Sequence, residues 1–265
     1  MRLSPATPKV LTLLASTMAL GGAGAAAEAA TLAGLQDGKT IVWIDTETKK
    51  ITGSVQLEGS ASLIGIDVRP ADGKLYGVTA DGTIVTVDVK SGKWEKKSQV
   101  SEKLPEGAAF SVDFNPAADR LRILSSTGMS LRINVDDGKT TVDGQLKYAD
   151  ADANKGKQPK VTAAAYTNSF AGTKETALYD VDTAAGVMVK QAPPNDGTLN
   201  TVGKLSVGGP VAFDIWSDGK GGNVGWLLSG GKLMTVDLAT GATKPVGAVA
   251  GMKGKVSDIA VLPAM

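Results

Sequence analysis

LIGIDVRPADGKLYGVTADGTIVTVDVKSGKWEKKSQV, residues 63–100, holds four short apolar runs parted by turns. The first ends in Asp67-Val68-Arg69-Pro70, the second in Asp81-Gly82 and the third in Asp88, and a Ser91-Gly92 turn leads into the fourth. Apolar and β-branched residues alternate or run for four to six positions between Asp-Gly, Ser-Gly and Thr-Gly pairs, the signature of strands and hairpins. Nowhere does a helical stripe persist. Four strands in about 45 residues is the size of one propeller blade.

The same order recurs over 110–142, over 211–249 and, more loosely, from Val161 to Val207, where Ser169–Glu175 is an insertion. The marker that closes the first strand falls at Asp67, Asp113, Ala165, Asp214 and Ala260. The glycine after the second strand falls at Gly38, Gly82, Gly128, Gly186 and Gly231, and the third strand closes at Asp45, Asp88, Asn134, Gln191 and Asp237. Spacings are mostly 43–52 residues and widen to 57–58 across the insertion. One unit is split: its first strand, VSDIAVLP (256–263), ends the chain, and its other three, TLAGL, TIVWID and ITGSVQL, begin at Thr31. A C-terminal strand that completes the N-terminal blade closes a ring and removes its open edge. The fold expected is therefore all-β, a five-bladed β-propeller over residues 31–265 as one domain.

Residues 1–30 read as a secretory signal peptide. Arg2 and Lys9 make a basic start, Val10–Leu20 an apolar stretch, and Gly21–Ala30 a small-residue run with A-x-A sites at Ala25–Ala27 and Ala27–Ala29. A stretch of 11 residues falls short of the roughly 20 that span a bilayer. The expectation is a periplasmic or secreted monomer without membrane insertion. The formal charge of +1 becomes −1 without Arg2 and Lys9, which argues against a nucleic-acid partner. Cysteine and histidine are both absent, so disulfides, Ser-His-Asp and Cys-His catalysis and the usual zinc and haem ligands are excluded.

The stretches VDFNPAADRLRILSSTG, SLRIN, TVDGQLKYADADAN, AAAYTNSFAG, TALYDVDT and PPNDGTLNTVGKL, in that order, resemble a bacterial family of exported propellers, domain-of-unknown-function family 4394. The resemblance covers essentially the mature chain and implies a periplasmic or secreted propeller. It implies no activity, and fold alone does not supply one.

Four constellations could carry chemistry. Asp67, Asp113 and Asp214 would converge if the first strands line the channel, as in carboxylate-based glycosidases. Recurrence at one blade position favours instead a structural role, bonding backbone amides. Asp150, Asp152 and Asn154 offer oxygens at alternate positions to a Ca²⁺ ion. Gly156 sits one place late, Val161 replaces the closing Glu, and Lys155, Lys157 and Lys160 oppose a cation, so an Asx-turn loop is preferred. Pro193–Gly197 reads as a turn. Trp43, Trp216 and Trp226 are expected between blades, with Trp94 partly exposed. The reading is a non-catalytic binding or scaffold propeller for an extracytoplasmic protein or small molecule, met by loops at one mouth, with no required cofactor. The alternative is a glycan or lactone hydrolase or lyase using Asp67, Asp113 and Asp214, with Ca²⁺ as a cofactor.

Overall fold

The computed structural model describes Met1, residues 30–207 and residues 209–263; the leader expected over residues 1–30 lies almost wholly outside the described residues. The described chain is built of strands, with one short 3-10 turn at Pro194–Asp196. No helix among the described residues is long and apolar enough to cross a membrane.

Five antiparallel sheets form the blades of a propeller. The first is the split one, in the order Val256–Val261, Thr31–Gln36, Thr40–Asp45, Lys50–Gln56. Leu32 pairs with Val261 and Gly34 with Ile259, so the C-terminal strand is the innermost strand of the N-terminal blade. The second to fifth blades begin with the inner strands Leu63–Val68, Phe110–Asn115, Val161–Tyr166 and Val211–Ser217. Each inner strand packs against those of both neighbouring blades, and Val211–Ser217 and Leu63–Val68 both pack against Val256–Val261, which closes the ring.

Strand periodicity explains the core. Successive side chains leave a strand on opposite faces, so each blade offers alternate residues to the blade before and the blade after. Five apolar clusters result, one in each gap between blades; Tyr76, Ile84, Phe114 and Ile123 fill the gap between the second and third. Each fully buried Leu, Ile, Val or Phe contributes about 1.5–3 kcal/mol. Gly65 has to be glycine: a Cβ there would lie 2.4 Å from Val112 Cγ2 and 3.0 Å from an Asp258 oxygen. Outer strands are polar. Trp94–Gln99 (WEKKSQ) presents lysines on its free edge, which discourages pairing with other chains.

Two local features differ from the repeat. The fourth blade gains a fifth, two-residue strand, Lys147–Tyr148, parallel to Thr198–Lys204. It closes that blade's outer edge and buries Leu146 and Tyr148; two residues are too few to show a period. The turn expected at Pro193–Gly197 is present as the 3-10 segment, ended by Gly197 at φ 67.

Candidate functional site

A propeller has a polar problem at its centre. The innermost strand of each blade has no partner on its channel side, so its N–H groups there need acceptors. At one level of the ring these donors belong to the residues that follow the repeat marker: Val68, Phe114, Tyr166, Ile215 and Val261. All five are satisfied by three carboxylates. Asp67 accepts from Val68 N at 2.7 Å and, across the gap, from Phe114 N at 2.7 Å. Asp113 accepts from Tyr166 N at 3.0 Å. Asp214 accepts from Ile215 N and Val261 N, both at 2.6 Å. Three carboxylates have six oxygens for five amides, and Asp113 Oδ2 is the one without a hydrogen-bond partner among the described residues. Two residues before the fifth marker, Asp258 does the same work one step along the channel, accepting from Ile66 N and Ile259 N at 3.0 Å each.

The structure therefore brings Asp67, Asp113 and Asp214 together, with one oxygen of each within 4.8 Å of the others. All three are buried. Burial pushes the Asp67 carboxyl well above the usual carboxylate range, aided by the charge of Asp214, while the Phe114 and Val68 amides oppose it. Burial and then the charges of Asp67 and Asp214 raise Asp113 likewise. Burial lifts Asp214 to about 7 against its two amides, and it also raises Asp258. Crowded buried carboxyls of this kind share protons near neutrality.

Asp67 and Asp214 form the floor of a cleft of 460 Å³ at the end of the channel where the inner strands finish. Its walls include Pro70, Phe170, Trp216 and Leu262. Phe170 comes from the insertion in the fourth blade, which is tied down across the mouth. Asn168 N donates to Asn223 Oδ1 at 2.8 Å, Ser169 N to Ser217 Oγ at 3.0 Å, and Asn223 Nδ2 returns a bond to Asn168 Oδ1. Trp226 is buried between blades as expected, and Trp43 is packed there; Trp216 packs between blades and also faces this cleft. Trp94 is half-buried and donates to the Glu58 carbonyl at 2.6 Å.

The six stretches that carry the family resemblance meet in a second place, the gap between the third and fourth blades. Arg122 is buried there. Its Nε donates to Tyr166 Oη at 2.9 Å, Nη1 to Ser130 Oγ and Asp143 Oδ2 at 2.8 and 2.7 Å, and Nη2 to Asn195 Oδ1 at 3.0 Å. Arg132 clasps both oxygens of the same Asp143 at 2.7 and 2.9 Å. Asp180 lies within the field of Arg122, fully buried and without a hydrogen-bond partner among the described residues, and burial raises its carboxyl well above the usual range. Sequence reading missed this network because its members stand far apart in the chain. The cross-strand pairing of Asp113 with Arg122, together with Tyr166, links it to the channel carboxylates.

The loop considered for Ca²⁺ uses its oxygens locally. Asp150 pairs with Lys155 at 2.9 Å, Asp152 accepts from Asn154 N, Thr201 N and Thr201 Oγ1, and Asn154 Oδ1 accepts from Lys157 Nζ.

No curated protein matches the chain. Among solved structures, a Bacteroides thetaiotaomicron protein of unknown function is similar over 89% of this chain and 67% of its own, with 15% identity and a TM-score of 0.55. A gluconolactonase from Xanthomonas campestris is similar over 87% and 79%, with 14% identity and a TM-score of 0.51. At such identities the likeness shows the propeller fold alone. The sequence family described as domain of unknown function DUF4394 matches residues 40–260, most of the chain, and the chain belongs to that family.

Proposed function

We propose that this protein is an exported, non-catalytic binding propeller whose ligand enters the cleft over Asp67 and Asp214. The observation that carries this reading is the commitment of those two carboxylates: all four of their oxygens hold backbone N–H groups of the inner ring. A general acid or base needs an oxygen free to exchange its proton with substrate. These oxygens instead complete the scaffold and leave a polar, hydrogen-bonded floor under two aromatic walls. Such a cleft suits a small molecule with an apolar or aromatic body and a hydrogen-bond-donating end, as in an aromatic amine. The basic start, apolar stretch and A-x-A sites of residues 1–30 support export.

The test uses tyramine as an aromatic amine and glucono-1,5-lactone as a hydrolase substrate. Calorimetry of the mature chain should show saturable tyramine binding that weakens about tenfold in Phe170→Ala, a loss of about 1.4 kcal/mol, with the melt unchanged. Hydrolysis of the lactone that disappears in a folded Asp113→Asn variant would overturn the non-catalytic reading, since Asp113 Oδ2 is the channel's spare carboxylate oxygen.

A further inference from the structure

The opposite mouth is a separate cavity of 680 Å³, where the inner strands begin. Three of the five inner strands break register there. The pairing shifts between Leu63 and Gly65, between Val161 and Ala163, and between Asp258 and Val256, leaving Ile64, Thr162 and Ser257 as the extra residues. A β-bulge turns its extra residue out of the regular alternation, and all three line the cavity. The inner strands starting at Phe110 and Val211 keep an unbroken register. The bulges are thus not a demand of the fold, which two blades meet without them.

Lys160 and Lys255, each one residue before a bulged strand, are the charged residues of the lining, and no carboxylate is among it. Their backbones are held in place: Lys160 N donates to Asp182 Oδ1 at 3.2 Å and Lys255 N to Asp37 Oδ1 at 3.0 Å. Neither ammonium joins an ion pair among the described residues. Thr162 Oγ1 is sequestered and has no hydrogen-bond partner among the described residues, whereas Ser257 Oγ donates to the Leu35 carbonyl at 3.3 Å and Thr183 Oγ1 to the Lys160 carbonyl at 3.2 Å. Two cations outside the ion pairs of the described residues, one uncommitted hydroxyl and a lining without a carboxylate form the complement of an anion.

We propose that this mouth is a second binding site, specific for a small dianion carrying two carboxylates or a phosphate, with Lys160 and Lys255 as its charge partners and Thr162 as its hydroxyl donor. It does not depend on the acidic cleft at the other end. Calorimetric titrations of the mature chain with inorganic phosphate and with succinate, at low ionic strength, test it and tell the two sources apart. Saturable binding of either is expected, about tenfold weaker in Lys160→Ala/Lys255→Ala and unchanged in Lys90→Ala/Lys93→Ala, which removes two lysines from an outer turn. Thr162→Val should weaken it as well, a loss that general surface charge would not produce. Binding of neither probe, or equal binding by the Lys160→Ala/Lys255→Ala variant, would overturn the proposal.

Discussion

The two mouths of the channel are made by the same five strands and are lined by opposite residue types, buried carboxyls at one and lysines at the other. Where the strands end, Asp67 and Asp214 lie beneath Phe170 and Trp216; where they begin, Lys160 and Lys255 flank Thr162 and Ser257. All inner strands run the same way, so a residue type repeated at one blade position collects at one level of the ring. The marker aspartates collect in this way, and their work is structural: they satisfy the ring of edge amides. What departs from the repeat has a different character. The Ser169–Glu175 insertion, three bulges and two lysines each belong to particular blades, and they shape the cavities. Repetition in this chain builds the frame, and departures from it build the surfaces that can recognise a ligand.

The most severe way to break the comparison is to remove the strand both mouths share. Deleting residues 256–265 takes Ser257 from one end and Val261 from the other, exposes the edge of Thr31–Gln36 and orphans the Ile66 amide that Asp258 holds. The loss should approach the whole stability of the domain, about 5–15 kcal/mol. A broad or aggregation-prone thermal transition is expected, and a melt as cooperative as that of the intact chain would refute closure by the C-terminal strand.

A change of pH probes the buried carboxyls, most of which stand in the channel. Burial lifts Asp214 to about 7, whereas an aspartate in the unfolded chain titrates at about 3.9. Between those values the folded chain keeps a proton that the unfolded chain has lost. This stabilisation is complete below the unfolded value and is lost as pH rises through the folded one. The Tm should therefore fall from pH 5 to pH 7, by a free energy on the order of 1–4 kcal/mol. Asp214→Asn should flatten the fall without abolishing it, because Asp67, Asp113, Asp258 and, between the third and fourth blades, Asp180 are raised as well. A wild-type Tm that is level or rises over this interval would contradict the crowded, buried carboxyls.

The smallest effect concerns cations. The oxygens of Asp150, Asp152 and Asn154 already serve lysines, a threonine and the loop itself, so millimolar affinity for Ca²⁺ is the most this loop should offer. At 1 mM Ca²⁺ the gain is then about 0.4 kcal/mol. Calorimetry of the wild type and of Asp152→Ala would sharpen the contrast: a micromolar site lost in the variant belongs to this loop, and one that survives belongs to the channel carboxylates.

Much of the frame was legible in the residues. Alternation of apolar residues, Asp-Gly and Ser-Gly turns and a period near 45 residues specify four-stranded blades, because side-chain direction in a strand and positive φ at a turn are local properties. The split repeat specified ring closure, and the markers at Asp67, Asp113 and Asp214 pointed to the channel. Asp258 escaped because it stands two residues before the fifth marker, off the repeat. The Arg122 network escaped because Ser130, Asp143, Tyr166 and Asn195 are neighbours only across the packed gap between two blades. The bulges at Ile64, Thr162 and Ser257 escaped because a shift of register depends on the partner strand. Sequence by itself determined the blades, their number and their closure, since each rests on patterns within one strand or turn. Only the tertiary structure decided which oxygen reaches an amide of the next blade and which side chains face which mouth, because the contacts between blades join residues dozens to hundreds of positions apart.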